Sequence, residues 1–413
     1  MKTISGILVF SLLVISMIFS SCNTNLSEED LEKKAAKIHH DILTIDTHND
    51  TPMRFTRSQF NMAERHDARK DRSKMDFPRM KEGGLDGAFF AVFIGQGPRT
   101  PEGNTKAYKS AIKIFKAIHE TANKHPELVE IATSPEDAYR LEKDQKIAMF
   151  IGIENGYPIG NDISNIKEFY DLGARYITLC HSRNNDICDS STDKNGPDFG
   201  GFSDFGIEVV EEMNRLGIMV DISHASDDSF YDAIKYSKAP IIASHSSSRE
   251  LCDHARNLND DMLVALAENG GVIQICILTS YIKKDEPNPE KDSAMAILME
   301  KFGKLTEADT IERDLLRKEW GEIRSKFPSK LANVQDAVDH IDHIVNLIGI
   351  DHVGIGTDFD GGGGIDGCFD ASEMGNITLE LLRRGYSKKE IEKIWSGNIM
   401  RVLKEVEEVA SST

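Results

Sequence analysis

The sequence predicts an α/β fold, a (β/α)8 TIM-type barrel, and three observations predict it. Eight short apolar runs, most of them rich in β-branched residues, recur along the chain. Amphipathic stretches of helical period separate most of them. Most runs end in polar residues suited to acid–base or metal chemistry. Near-continuous apolar runs describe parallel strands covered on both faces, and in a barrel their carboxyl ends converge on one mouth. A doubly wound open sheet shares the alternation and is the competing architecture.

Taken in order, the first 21 residues read as an address rather than as structure. Lys2 precedes a mostly apolar run over 7–19, too short to cross a bilayer comfortably. Ser20-Ser21-Cys22 follows, and the arrangement resembles a bacterial lipoprotein signal. That resemblance implies lipid on Cys22 as the new N-terminus and a soluble body anchored to the membrane, outside the cytoplasm, in the cell envelope. Residues 22–30 read as a polar tether, and 31–413 as a single barrel domain.

The runs within that domain are 43–46 (LTID), 87–93 (GAFFAVF), 147–153 (IAMFIGI), 176–179 (YITL), 218–222 (IMVDI with its leading Ile), 241–243 (IIA), 271–277 (GVIQICI) and 352–355 (HVGI). Helical patterns cover 105–123, 204–216, 227–236, 260–268 and 333–347. Several open on Asp or Asn, which suit N-caps. Residues 283–328 form a long charged helical insertion before the last run, read as a lid or a homodimer contact. Residues 377–406 supply the closing helices.

Composition narrows the function. With 49 Lys+Arg against 68 Asp+Glu the formal net charge is −19, which disfavours nucleic acid as a partner because phosphate recognition rests on clustered cations. Beyond Cys22 the cysteines are Cys180, Cys188, Cys252, Cys276 and Cys368, with no C-x-x-C among them. A thiolate zinc site therefore has no support, and the cysteines read mostly as buried thiols.

The run ends carry the chemistry. His48-Asn49-Asp50 follows the first run, Glu154 the third and His181 the fourth. Ser223-His224 and Ser244-His245 follow the fifth and sixth, and Thr357-Asp358-Phe359-Asp360 the last. Each alone has an ordinary structural explanation. Converging at one mouth, the imidazoles and carboxylates offer N and O ligands for two borderline metals. Glu154 is the carboxylate able to bridge, with His48/Asp50 and His224/His245 as terminal pairs. His39, His40, His66, His119, His125, His340 and His343 fall on helical or charged stretches and read as solvated or structural, and Asp360 as structural.

The stretches I-D-T-H-N-D-T-P, G-I-E-N-G, I-T-L-C-H-S, D-I-S-H-A-S, the segment 241–261 and H-V-G-I-G-T-D-F-D-G resemble, in order, the motifs of the membrane (renal-type) dipeptidases. The resemblance runs from about Ile42 to Arg401. It implies an amidohydrolase-like, metal-dependent hydrolase barrel carrying two Zn2+ per chain. His48 and Asp50 would hold one ion, His224 and His245 the other, with Glu154 bridging. It further implies His181 and Arg256 as substrate-binding residues, with His181 donating to the developing oxyanion. Asp358 would be the acid/base beside the attacking water, so that a metal-bridging hydroxide cleaves the peptide bond of a dipeptide. Arg256 is reached only through this resemblance, since spacing alone reads it as a surface loop arginine. Residues 182–188 (SRNNDIC) depart from the Asn, Pro and Trp common in that loop, so side-chain preference does not carry over. A hydrolase of N-acylated amino acids or other small amides, and a solute- or metal-binding lipoprotein without chemistry, are the alternatives. Asp358 argues against the second, because a passive binder needs no carboxylate beside the water.

Overall fold

The computed structural model describes residues 27–56, 60–284, 286–302, 310–327 and 330–412. Residues 1–21 and Cys22, read above as signal and lipid site, lie outside the described residues. Within them are nine parallel strands: β1 (Ile45–Asn49), β2 (Gly87–Phe93), β3 (Val129–Ile131), β4 (Ile147–Glu154), β5 (Ala174–Thr178), β6 (Met219–Asp221), β7 (Ile242–Ser246), β8 (Val272–Cys276) and β9 (Val353–Gly356). Eight pair in the order β1-β2-β4-β5-β6-β7-β8-β9, and β3 pairs β4 beside that path. The circle closes at the mouth. Asp50 N donates to Phe359 O at 2.8 Å and Asp358 N to His48 O at 2.9 Å. This closure excludes the open sheet.

β3 is the strand the sequence does not announce. It has three residues, and Glu130 in its middle breaks the apolar run. Helices otherwise fall where their periodicity puts them, including Asp204–Leu216, Asp227–Tyr236, Asp260–Glu268 and Val334–Ile348. Pro101–Lys124 starts earlier than 105, because Thr100 caps Gly103 N and Pro101 suits the first turn. The expected tether needs correction at its end. Ser27 accepts from Asp30 N and caps the helix Glu28–His40, so 28–30 are helix. The insertion contains Pro289–Phe302 and Thr310–Lys326, tied by Lys301 to Glu319 at 2.6 Å.

Alternation along the strands sorts the barrel's contents. On β4, Ala148 and Phe150 pack inside with Phe89, Tyr176, Met219, Ile242 and Val272. Ile399, Met400, Leu403 and Val406 of the helix Asn398–Ser411 join this cluster and close the amino-terminal end. The alternate residues Met149, Ile151 and Ile153 face the outer helices in a second core. The inward series of β4 continues through Gly152 to Glu154 at the mouth. Gly152 is required there, since a Cβ would stand 2.0 Å from the Tyr176 ring.

Candidate metal centre

The mouth gathers side chains from five strand ends around Glu154, which is 3% exposed. One carboxylate oxygen, Oε2, lies 3.6 Å from His48 Nε2. The other, Oε1, lies 3.1 Å from His224 Nε2, 3.5 Å from His245 Nε2 and 3.7 Å from His181 Nε2. Asp50 Oδ2 is 3.9 Å from His48 Nε2. Three overlapping clusters have all their ligand atoms within 4.8 Å of one another: His48–Glu154–His245, Glu154–His181–His224 and His48–Asp50–Asp358. Every residue assigned to the site from sequence is therefore brought together except Cys22, which is not described, and Arg256, which lies just behind.

Local backbone geometry turns these groups inward. The register shifts after Asp46 in β1 and after Ala243 in β7, beside His48 and His245, and such irregularities re-aim side chains. Asn155, His224, Asp358 and Asp360 have φ of 77°, 73°, 57° and 66°, a region costly for side-chain-bearing residues and concentrated at functional sites. Gly361 keeps the last turn open, because a Cβ would come within 2.1 Å of both Asp358 Oδ1 and Asp50 Oδ2. Asp360 turns away and accepts from Thr51 Oγ1 at 2.8 Å, Lys74 N at 3.0 Å and Arg54 at 3.1 Å. It braces the turn, as its structural reading expects.

The electrostatics call for a cationic guest. Asp50, Glu154 and Asp358 are all buried within one small volume. Burial, reinforced by Glu154, pushes the Asp50 carboxyl up to about 7. Burial and then Asp50 raise Asp358 well above the carboxylate range. Burial would raise Glu154 too, but the imidazoles of His48 and His181 more than reverse it and hold it low. Burial, helped by Arg256, keeps His224 well below its usual value. Burial and then His48 bring His245 down to about 3. His48 Nε2, Asp50 Oδ1 and Glu154 Oε2 are buried with no hydrogen-bond partner, a cost a protein tolerates where another group completes the site. Nitrogen and oxygen donors of this kind fit zinc and similar borderline metals.

Further buried and rim side chains surround the cluster. Phe93 meets His181 edge-on, with centroids 4.8 Å apart. Arg256 is 3% exposed. Its guanidinium donates to His245 O at 3.1 Å, stands 5.3 Å over the Tyr281 ring and leaves Nε buried without a partner. The loop after His181 is built from its own asparagines. Asn185 donates to Leu179 O at 2.8 Å and Asn155 Oδ1 at 3.0 Å, and Asn184 to Gly196 O at 2.8 Å. The five described cysteines are buried and unbridged.

Sequence reasoning missed the groups behind the ligands. His48 Nδ1 lies 2.8 Å from the Tyr176 hydroxyl, and His245 Nδ1 2.8 Å from Ser244 Oγ, which donates to Asp221 at 2.6 Å. A carboxylate inside an otherwise apolar run, as at Asp221, was the available signal.

Comparison with known proteins agrees with this geometry. A family model described as Membrane dipeptidase (Peptidase family M19) matches residues 32–413. The chain is 32% identical to dipeptidase tcpJ of Claviceps purpurea (strain 20.1), across 89% of this chain and 78% of that protein. It is 30% identical to dipeptidase 3 of Rattus norvegicus, across 93% and 69%. The crystal structure of the probable dipeptidase PvdM from Pseudomonas aeruginosa superposes with a TM-score of 0.81 at 32% identity, covering 92% of this chain and 100% of that one. A metallo peptidase from Rhodobacter sphaeroides, liganded with a phosphinate mimic of the dipeptide L-Ala-D-Ala, is alike in fold. Its TM-score is 0.71 at 22% identity, over 88% of this chain and 99% of that one. A closed parallel barrel, nitrogen and oxygen ligands converging at its mouth and a family match over nearly the whole chain lead to one assignment: this metallo-dipeptidase belongs to the membrane dipeptidases, peptidase family M19.

Proposed function

We propose that the chain hydrolyses the peptide bond of dipeptides on a dinuclear zinc centre. His48 and Asp50 would hold one ion and His224 and His245 the other, with Glu154 placed to serve both. The observation that carries this reading is the division of the Glu154 carboxylate, with Oε2 toward His48 and Oε1 toward His224 and His245. When bound, the ions supply Lewis-acid polarisation of the scissile carbonyl and a nucleophile usable near neutral pH.

The chain's own residues do the rest. Arg256 offers a buried, planar cation to the C-terminal carboxylate of the substrate, and this pairing limits substrate length. His181, on the rim beside Phe93, donates to the oxyanion as charge develops, a contribution worth about 2.7–4 kcal/mol at such sites. Asp358 takes a proton from the attacking water and returns it to the leaving amine. Its place supports that role: its carboxylate lies within 4.8 Å of the ligand atoms of His48 and Asp50. The test is a panel of dipeptides, dipeptide amides, tripeptides and N-acetyl amino acids, offered to zinc-loaded protein of measured metal content. Dipeptides should release free amino acids, and amides and tripeptides little. Faster turnover of N-acetyl amino acids would move the assignment to an acylase.

We further propose that Cys22 carries lipid and anchors the enzyme to the membrane of the cell envelope. Ser20-Ser21-Cys22 behind a short apolar run supports it, and no described helix is long and apolar enough to cross a membrane. Mass analysis of the mature N-terminal peptide decides: an unmodified terminus at any other residue overturns it.

A further inference from the structure

The second row of residues behind His245 differs from that behind the other ligands. Asp221 closes β6 and is fully buried. Its Oδ1 accepts the backbone N–H groups of Ser244 at 2.8 Å and Ser223 at 3.0 Å. Its Oδ2 accepts the hydroxyls of Ser244 at 2.6 Å and of Thr178. Two of these donors are backbone groups that cannot turn, so the carboxylate is held in one orientation.

Proton counting then runs outward. A serine hydroxyl has one proton, and Ser244 directs it at Asp221. What Ser244 Oγ turns toward His245 is therefore a lone pair, and His245 Nδ1 lies 2.8 Å from it. Two lone pairs do not face each other at that separation, so Nδ1 bears the hydrogen. A neutral imidazole has a single ring hydrogen, which leaves the Nε2 lone pair free. That atom lies 3.5 Å from Glu154 Oε1 and 3.0 Å from His224 Nε2. His48 is a useful contrast. Its Nδ1 faces the Tyr176 phenol, which can donate or accept and so imposes no tautomer.

We propose that Asp221 and Ser244 are positioning residues that fix His245 in its Nδ1–H tautomer and so prepare Nε2 to ligate a divalent metal. The proposal rests on the reading of His245 as a ligand. An Asp221→Asn amide presents N–H groups where the carboxylate accepted. Ser244 then turns its proton onto Nδ1, and the imidazole hydrogen moves to Nε2, against the metal. Ser244→Ala removes the acceptor without imposing the wrong tautomer. The two variants should therefore differ in degree.

Zinc affinity of the full-length chain, stripped and reloaded in competition with a chelator, tests this for Asp221→Asn, Ser244→Ala and His245→Ala. One of the two binding steps should weaken about 10-fold in Ser244→Ala and about 100-fold in Asp221→Asn, the span typical of groups behind metal ligands. The other step should hold. Nitrogen-15 spectra of the histidine rings in the metal-free protein should show Nδ1–H at His245 in the wild type and a move to Nε2–H in Asp221→Asn, a change that merely loosened packing does not produce. Unchanged affinity in both variants, with the step lost in His245→Ala, overturns the relay while leaving the ligand. Unchanged affinity in His245→Ala overturns the ligand reading itself. If Asp221→Asn does not fold, Ser244→Ala decides alone, because it deletes one hydroxyl and keeps the carboxylate.

Discussion

The two ends of the barrel are made from the same strands and obey opposite rules. At the amino-terminal floor, Phe89 and Phe150 stack with centroids 4.7 Å apart, Phe89 lies 5.3 Å from Tyr176, and Leu403 and Val406 seal the cluster from below. At the mouth, three buried carboxylates crowd four imidazoles, and several polar atoms have no partner. Of the six described non-glycine residues with positive φ, four lie at this end: Asn155, His224, Asp358 and Asp360. Apolar burial gains about 25 cal/mol per Å2, whereas an unpaired buried charge costs several kcal/mol. The floor thus offsets a mouth that is unfavourable until its guests bind. Tyr176 touches both, its ring in the floor cluster and its hydroxyl on His48.

Glu154→Ala removes the carboxylate that faces both His48 and the His224/His245 pair, so metal content and turnover should both collapse to background. Metal analysis beside a dipeptide assay checks this, and two metals with full activity would sink the bridging role. Asp358→Asn should keep near-normal metal while kcat falls by about 10²–10⁴, the range for general acid–base catalysis. Loss of metal in step with activity would instead make Asp358 a ligand, as its cluster with His48 and Asp50 allows.

A change at the floor should show the reverse pattern. Leu403→Ala should cost about 2–5 kcal/mol of stability in denaturant unfolding, with zinc affinity and kcat of the folded enzyme unaltered at low temperature. A comparable fall in zinc affinity would mean that the two ends are coupled. Arg256→Met is the smallest change. Loss of a charge-assisted contact of about 1.5–3 kcal/mol corresponds to about a 10- to 150-fold drop in kcat/KM for dipeptides. A dipeptide amide should be nearly indifferent to the substitution, and equal loss on both substrates would refute the carboxylate pairing.

Legibility followed the physics of each element. β2 and β4 were plain, because strands covered on both faces read as apolar runs, and Glu154 stood out as a carboxylate ending one. β3 was not, since three residues with a central glutamate carry no period. The helix at Glu28 was hidden by its polarity: its fixed side packs Ala35 and Ile38 on the core, while its first turn is entirely acidic. Arg256 is the sharpest case. By spacing it is a loop arginine, and only the return of its loop to His245 O buries it.

From sequence alone follow the alternation of strand and helix, hence the barrel, and the residue types at the strand ends, hence nitrogen and oxygen ligands for metal; hydrolysis followed from the resemblance of the motifs to those of the membrane dipeptidases. These are local properties: a period, a cap, a side chain's chemistry. Tertiary structure decided which oxygen of Glu154 faces which imidazole, which way Asp360 turns, and that Asp221 reaches His245 through Ser244. Those depend on register, on a bulge after Ala243 and on positive φ at single residues, all of which arise when strands distant in sequence pair and settle against one another.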